Sequence, residues 1–239
     1  MLNITEGEIL LVNKPYRWTS FDVIGSLRGL MKHLLGGKKI KVGHAGTLDP
    51  LATGLLIVCT GKATKRIEEF TAYDKEYTGT FTLGATTPSF DMEKEVNETF
   101  PTQHITDEMI HTAAFTLSGD IMQIPPMFSA IKVDGKRAYE SARKDIDLGL
   151  PARQVTIAAF EITRINLPEV DFRIVCSKGT YIRAIARDFG LALQTGAYLS
   201  ALSRTRVGPY KLEDAFEVEG LKTILREQYK KEIEILSSP

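Results

Sequence analysis

The chain has 239 residues, with 30 basic and 30 acidic side chains and therefore no formal net charge. A hydrophobic content of 43% and a charged content of 25% are typical of an ordinary globular protein. The longest apolar run, LLIVC at Leu55–Cys59, is far shorter than the roughly 20 residues of a membrane span, and the opening MLNITEGE lacks the pattern of a secretory signal. We expect a cytoplasmic protein whose two cysteines, Cys59 and Cys176, are buried and reduced.

The first part of the chain predicts a strand, a helix and a buried strand before a second, short helix. The stretch EILLVNKP indicates the first strand. Thr19 or Ser20 then offers an N-cap for a helix that Gly36-Gly37 ends. The apolar run LLIVC predicts a buried strand, and a short helix is expected at Ala63–Phe70.

The middle of the chain predicts alternating strands, loops and helices. The stretch KEYTGTFTLG alternates apolar and polar residues, which indicates a strand. The polar, proline-bearing stretch that follows is expected to be a loop, and Thr106 is expected to cap a helix that runs to Leu117. A later strand leads into an Asp134-Gly135 hairpin turn and then a helix.

The last third predicts two strands, a helix, a further strand and a final amphipathic helix. In chain order these are RQVTIAAFEITRI, EVDFRIVCSKG, TYIRAIARDFGLAL, AYLSALSRTRVGPY and Glu217–Lys231. Strands and helices are interspersed without a regular βαβ period, so we predict the α+β class in one domain over residues 1–239. No histidine pair has metal-ligand spacing, and no nucleotide-binding glycine pattern occurs.

Charges of opposite sign are segregated along the chain. Acidic residues concentrate at Asp91–Glu98 and Glu213–Glu219, whereas basic residues cluster elsewhere. A neutral total can therefore still give one basic face. Two of the basic clusters, Lys32–Lys41 and Arg204–Lys211, are our candidates for contacts with an RNA backbone.

One carboxylate, Asp49, stands in GHAGTLDPLATGLLIVCTGKATK between a glycine-rich turn and the apolar run. An aspartate before a proline often caps the amides that follow it, and the glycines would then be ordinary turn residues. A loop fixed by glycine and proline also presents a carboxylate with little conformational freedom, as a nucleophile or general base requires. Composition alone leaves both interpretations open.

The same stretch closely resembles the central motif of the TruB family of tRNA pseudouridine-55 synthases. Further stretches similar to the family are GEILLVNKPYRWTSFDV, DKEYTGTFTLGATTPSFD, GDIMQIPPMFSAIKVDGKRAYESAR, CSKGTYIRAIARDFG and LSALSRTRVGPY, which together extend over about residues 7–210. The resemblance implies the pseudouridine synthase fold, with a mixed, mainly antiparallel central sheet flanked by helices and loops. It also implies an isomerase that detaches uracil from ribose, rotates it and rejoins it through carbon 5.

The resemblance assigns catalytic roles to three residues. Asp49, in GTLDP, matches the nucleophile. Tyr77 matches a tyrosine that lies against the target base, where stacking offsets part of the free energy of base extrusion. Arg183, in GTYIR, matches an arginine that forms an ion pair with the aspartate.

Four further residues match positions close to the substrate. His44 is expected to occupy the gap left by the flipped nucleotide, and Leu202 to pack in the floor of the active site. Asp91 lies near the substrate loop and is expected to orient arginine or histidine neighbours, because a carboxylate beside phosphates is unfavourable. Lys14, in NKP, is expected to pack and hydrogen-bond behind the tyrosine.

The implied substrate is the T-stem loop of tRNA, since proteins read RNA mainly through loops and splayed bases. The family uses no cofactor or metal, and we expect no membrane association, no obligatory protein partner and no guide RNA, in a monomer. Many bacterial members carry a C-terminal PUA domain, which this chain is expected to lack because it ends soon after the helix at Glu217–Lys231.

Two other functions compete with this one. An RNA-binding folding factor would not need catalysis, although it would also have no need to keep Asp49, Tyr77 and Arg183. A glycosidase or nucleosidase would use Asp49 as well, but such enzymes generally need two placed carboxylates. The release of free uracil would favour the second of these alternatives.

Overall fold

A computed structural model of the protein describes residues 2–129, 132–133, 136–137 and 148–236. The chain divides into two compact units. The first unit takes its residues from Met1–Lys75 and Ser203–Pro239, and the second from Glu76–Leu202. The expectation of a single catalytic domain stays a prediction.

The described residues contain helices and strands in mixed order. The helices are α1 (Ser20–Leu34), α2 (Ile67–Ala72), α3 (Asp107–Thr116), α4 (Ile182–Ala192) and α5 (Val218–Leu236). The strands are β1 (Ile9–Lys14), β2 (Val42–Ala45), β3 (Thr53–Thr60), β4 (Lys75–Leu83), β5 (Ala85–Thr86), β6 (Glu98–Thr99), β7 (Gly119–Gln123), β8 (Lys132–Val133), β9 (Lys136–Arg137), β10 (Arg153–Asn166), β11 (Glu169–Cys176), β12 (Ala197–Val207), β13 (Tyr210–Lys211) and β14 (Phe216–Glu217).

Strand β3 is the centre of the first unit. It pairs antiparallel with β1 from Ile9↔Cys59 to Lys14↔Gly54 and antiparallel with β2 on its other side. Strand β12 runs parallel to the start of β3, with Ser203 opposite Thr53, and β14 runs parallel to β1. The sheet of this unit is therefore mixed.

The apolar run of β3 is buried on both faces of the sheet. Leu56 and Val58 pack with the inner faces of α1 and α5, whereas Leu55, Ile57 and Cys59 pack on the opposite face with Phe70 of α2. A strand covered on both faces needs apolar residues without alternation, which explains why LLIVC is continuous. The predicted buried strand is confirmed.

Helix α1 begins and ends where the sequence predicts. Thr19 is its N-cap and forms a capping box: its Oγ1 accepts from Asp22 N at 3.0 Å, and its own N donates to Asp22 Oδ2 at 2.8 Å. Gly36 and Gly37 follow the helix with φ of 63° and 92°, values that a glycine adopts without strain. The buried face of the helix includes Leu27.

In the second unit, β11 and β10 form a long antiparallel hairpin, and β7 pairs antiparallel with the first residues of β10. Aromatic rings fill the core beside this hairpin. Phe81 stacks on Phe172 with 4.1 Å between ring centroids, and Phe160 and Phe189 contact both the stack and each other. Antiparallel pairs predominate in the described strands, and the predicted α+β class is confirmed.

Two predicted elements differ from the structure or lie outside it. The helix expected at Ala63–Phe70 is instead a 3₁₀ segment, Gly61–Arg66, followed by α2. The Thr64 hydroxyl donates to Gly61 O at 2.8 Å, a local bond that competes with a regular helical turn. The Asp134-Gly135 turn and the helix after it lie outside the described residues, although the flanking β8 and β9 pair antiparallel.

Both cysteines are free and buried, as predicted. Burial raises the pKa of the Cys59 thiol to about 11, so this thiol is protonated at neutral pH. Across the part of the chain that the structure describes, we find no helix whose length and apolar character would let it cross a membrane.

Gly54→Ala tests the close approach of β3 to β12. Gly54 has φ of 104°, and a Cβ there would lie 2.4 Å from Arg204 O and 2.5 Å from Arg204 N. We expect this substitution to lower the free energy of unfolding by about 2 kcal/mol or more. Urea denaturation followed by circular dichroism measures the change.

Gly25→Ala is the matched control, because Gly25 lies within α1 and nothing lies within 4 Å of its Cβ position. Alanine there should raise the free energy of unfolding by about 0.5–1 kcal/mol. Equal effects of the two substitutions would contradict the role assigned to the Gly54 contact.

Candidate functional site

The loop that carries Asp49 connects β2 to β3 in the first unit. It opens at Gly46, whose φ is 86°. The Ser20 hydroxyl accepts from Leu48 N at 2.8 Å and donates to Leu48 O at 3.2 Å, so one side chain fixes both backbone groups of that residue. Ala52 N donates to Asp49 O at 3.1 Å. The half-buried Asp49 thus stands on backbone that is bonded on both sides of it.

Lys14, at the end of β1, supports the same loop from inside the unit. Its side chain is fully buried, and its Nζ donates to Trp18 O at 2.5 Å, Pro15 O at 3.0 Å and Pro50 O at 3.3 Å. Burial lowers the pKa of Lys14 to about 8, while the Asp49 carboxylate acts in the opposite direction. The ammonium group therefore holds the residue next to Asp49, and the predicted substrate contact of Lys14 stays a prediction.

Arg204 is a second buried cation beside the loop. Its side chain lies on β12 and is 1% exposed. Its Nε donates to Leu55 O at 2.7 Å and its Nη2 to Gly46 O at 3.0 Å. The prediction that Arg204 contacts an RNA backbone is wrong, because the guanidinium is enclosed and bonded to carbonyls of its own unit.

His44 lies on β2, opposite Val58 of β3, and is half-buried. Burial lowers the pKa of its imidazole, and the nearby charge of Arg204 lowers it further. The ring is therefore neutral at neutral pH. Its Nδ1 is enclosed and has no hydrogen-bond partner within the described part of the chain.

In the second unit, Arg183 stands in the first turn of α4 and is 5% exposed. Its Nη1 donates to Ser89 O at 3.1 Å and its Nη2 to Phe128 O at 2.8 Å. Its Nε lies 3.5 Å from Asp91 Oδ2, and both side chains of this ion pair are buried. The guanidinium is consequently held in one orientation.

Asp91 is buried, and the loop that carries it is closely hydrogen-bonded. Its carbonyl accepts from the Thr87 hydroxyl at 2.6 Å, and its Oδ1 accepts from Glu93 N at 2.9 Å. Phe90 has φ of 59°, and its carbonyl accepts from Leu199 N at 2.9 Å. The position of Asp91 agrees with the expectation that it orients an arginine, while its part in substrate binding stays a prediction.

The other predicted site residues are placed as follows. Tyr77 lies on β4 and is 8% exposed, and Leu202 lies on β12 and is half-buried. Both belong to the second unit with Arg183, whereas Asp49 belongs to the first. The expected ion pair between Arg183 and Asp49 stays a prediction.

Sequence reasoning missed the role of Arg204 within the Asp49 loop. In LSALSRTRVGPY this arginine resembles any other strand arginine, and its partners Gly46 and Leu55 are about 150 residues away along the chain. In the sequence, only Gly46 and Gly54, which lie close to Arg204, could have indicated this role. Glycines are equally typical of ordinary turns, so they did not distinguish it.

Lys14→Met tests the buried ammonium through the pH dependence of stability. The folded protein releases the Lys14 proton near pH 8, whereas the unfolded chain keeps it until about pH 10.5. Between these values the unfolded state binds more protons, so this position contributes increasing stability as the pH rises. We expect the difference in unfolding free energy between wild type and Lys14→Met to shift in favour of wild type from about pH 7 to about pH 10.

Lys62→Met is the control for this measurement, because Lys62 is exposed and Glu6 raises its pKa. Its stability difference from wild type should stay constant over the same range. Parallel pH profiles for Lys14→Met and wild type would contradict a lowered pKa at Lys14.

Comparison with protein families gives two matches that together cover most of the chain. Residues 32–182 match the family described as TruB family pseudouridylate synthase, N-terminal domain. Residues 183–237 match the tRNA pseudouridylate synthase B C-terminal domain. The first match alone includes more than half of the chain.

Two curated relatives are similar over nearly their whole length. A protein of Phocaeicola vulgatus named tRNA pseudouridine synthase B is 57% identical over 232 residues, which cover 97% of this chain and 99% of the relative. A protein of the same name from Flavobacterium johnsoniae is 54% identical over 214 residues, with 89% and 93% covered.

Solved structures agree with this assignment. A chain of a Cbf5-Nop10-Gar1 complex superposes with a TM-score of 0.68 at 28% identity, over 92% of this chain and 54% of the other. A chain of an H/ACA RNP bound to a substrate RNA gives a TM-score of 0.65 at 26% identity. The present chain thus spans about half the length of these solved chains. With the sequence motifs, the two family matches and this likeness of fold taken together, the chain belongs to the TruB family of pseudouridylate synthases and has their α+β fold.

Proposed function

We propose that this chain is a tRNA pseudouridine synthase that isomerises the T-loop uridine at position 55, with Asp49 as its nucleophile. The observation that carries the proposal is the support of the GTLDP loop. Ser20, Lys14 and Arg204 bind carbonyls of Leu48, Pro50 and Gly46 around the aspartate. A plain turn aspartate does not require three side chains, two of them buried cations, around it.

The proposed reaction is an isomerisation, so its atoms balance without an external reagent. The bond between uracil N1 and ribose C1′ breaks, the base rotates, and a bond between C5 and C1′ forms. The hydrogen on C5 leaves as a proton, and N1 gains one. An ionised, fixed Asp49 serves as nucleophile towards the sugar or the base, or as base towards a sugar proton. No redox step occurs, which is why we propose a cofactor-independent enzyme.

Base extrusion needs groups that compensate for lost stacking. Unstacking a base requires a few kcal/mol, least in a loop, and an aromatic contact returns roughly 1–3 kcal/mol. We assign Tyr77 to the extruded uracil and Leu202 to the floor of its pocket. The neutral imidazole of His44 is suited to the gap in the RNA stack, because an uncharged ring stacks between bases without a desolvation penalty.

Arg183 is assigned to the carboxylate of the nucleophile. Its guanidinium already has a fixed direction, since Ser89 O, Phe128 O and Asp91 hold it. A planar group held in this way can offer paired N–H donors to a second carboxylate with little loss of conformational entropy. Asp91 is then a positioning residue that acts on the substrate through Arg183.

The basic segment between α1 and β2 is assigned to the tRNA backbone. Lys39 and Lys41 are exposed. A surface cavity of about 450 Å³ next to them is lined by Arg28, Lys41, Val42, Gly43, Thr64, Ile67 and Ile40. Among the described residues, no carboxylate forms an ion pair with Arg28, Lys39 or Lys41, so these cations are available to phosphates.

The proposed setting is a cytoplasmic monomer that acts on tRNA without a guide RNA or partner protein. The H/ACA assemblies among the structural neighbours contain other proteins and RNA. The curated relatives of matching length carry the name of a tRNA enzyme, and we therefore place this chain with them.

The proposed chemistry is tested with T-loop RNA labelled with tritium at C5 of the target uridine. Wild type should release tritium as water because isomerisation must expel that hydrogen. Asp49→Asn should release none, a loss of at least about 10³-fold, while its RNA affinity stays within about threefold of wild type.

Two other outcomes would favour a competing function, and a third would change the role of Asp49. Binding without tritium release by wild type would favour the folding factor and make Asp49 a turn residue. Free uracil among the products would favour a glycosidase or nucleosidase. Release at the same rate by Asp49→Asn would leave the synthase intact and remove Asp49 from its chemistry.

The proposed backbone contact is tested with Lys39→Gln/Lys41→Gln. If both lysines bind phosphates, a plot of log affinity for T-stem-loop RNA against log salt concentration should become shallower. The magnitude of its negative slope should decrease by about 1 to 2. Arg226→Gln/Lys230→Gln removes the same charge from exposed positions on α5 and should leave the slope unchanged. Equal slopes for the two double variants would contradict the assignment.

A further inference from the structure

We propose that Arg204 is a positioning residue that sets the geometry of the Asp49 loop by binding both of its ends. Gly46 O, three residues before Asp49, and Leu55 O, six residues after it, accept from one guanidinium. The inference rests on the proposed role of Asp49, and it names a residue outside the set implied by the sequence motifs.

The planar guanidinium makes this connection rigid. Its Nε and Nη2 have a fixed separation, so the two bonds of 2.7 Å and 3.0 Å define the distance between the two carbonyls. The segment between the two bound carbonyls, residues 46–55, contains the whole Asp49 loop and the first residues of β3. A displacement of either end would move the carboxylate that lies between them.

Two glycines lie where the backbone and the side chain of Arg204 approach the Asp49 segment. Arg204 lies opposite Gly54 in the parallel pairing of β12 with β3. The backbones approach so closely there that a Cβ on Gly54 would overlap Arg204 N and O. At the other end, Gly46 has φ of 86°, which a glycine adopts without strain, and its Cβ position lies 3.4 Å from Nη1, an ordinary contact distance.

The unfavourable free energy of burying the Arg204 guanidinium indicates that this residue does more than stabilise the fold. A guanidinium that is 1% exposed has lost its hydration, and among the described residues no carboxylate forms an ion pair with it. Hydrogen bonds to two carbonyls compensate for part of that loss. Apolar residues at such positions are often as stabilising as a buried charge or more so. The cation is thus better explained by the geometry it imposes.

Arg204→Lys distinguishes the positioning of the loop by a planar guanidinium from the effect of a positive charge alone. Lysine keeps the positive charge but lacks the planar fork, and one ammonium group cannot reproduce the two bond directions. We expect kcat for pseudouridine formation to fall by about 100-fold, with the affinity for T-stem-loop RNA within about threefold of wild type. Arg164→Lys is the control, because Arg164 is also an arginine on a strand, but it is exposed and its guanidinium binds the carboxylates of Glu169 and Asp171.

A second variant provides a test by chemical rescue. Arg204→Ala removes the side chain, and added guanidinium ion should restore part of kcat by occupying the vacated space. Methylammonium at the same concentration carries the charge without the fork and should restore less. A residue that only stabilises the fold would not respond in this selective way.

Hydrogen exchange gives a readout that does not depend on activity. Amides of residues 46–55 should exchange faster in Arg204→Lys than in wild type or Arg164→Lys, while those of α1 should be unchanged. If wild type makes no pseudouridine but the loop is loosened, the proposed function fails and the loop role of Arg204 is supported. Unchanged exchange, an unchanged kcat in an active enzyme, or loss of cooperative folding in both Arg204 variants would overturn the inference.

Discussion

The parallel contact between Gly54 and Arg204 is the constraint on which the first unit's site depends. It brings the start of β3 against β12 so closely that only a residue without a side chain fits at position 54. The same contact delivers the Arg204 side chain to the carbonyls of Gly46 and Leu55. The packing of β3 against β12 therefore determines the geometry of the Asp49 loop. A change in that packing must alter the loop.

Buried cations bound to backbone carbonyls recur in both units. The buried basic residues among those described are Lys14, Lys75, Arg183 and Arg204. Each donates to at least two carbonyls, at distances between 2.5 and 3.3 Å. A carbonyl offers a partial negative charge at a position fixed by the fold, so such cations hold loops in place through backbone hydrogen bonds. Arg183 also forms an ion pair with Asp91. Asp49 and Asp91 each lie on a loop held in this way.

Secondary-structure elements that depend on neighbouring residues could be predicted from the sequence. The buried side chains that hold the Asp49 loop could not. The Thr19 capping box and the continuous apolar run of β3 depend on neighbours within a few residues, and the structure confirms both. The 3₁₀ segment at Gly61–Arg66 was missed because its difference from a helix is small. The burial of Lys14 and Arg204 depends on strand pairing over long separations, and no local pattern distinguishes them from exposed residues. Asp49 itself was identified only because its motif resembles a family.

The distribution of cations also explains how a neutral chain can be suited to RNA. Net charge counts Lys14 and Arg204 equally with Lys39 and Lys41, although the first two are enclosed and the second two are exposed. Enclosed cations act on the loop backbone over a few ångströms, whereas exposed ones act on phosphates across solvent. A net charge of zero therefore combines two different sets of cations: one set binds the backbone of the loop that carries Asp49, and the other is exposed to solvent. The electrostatic potential at the protein surface, and not the net charge of the sequence, governs association with a charged ligand.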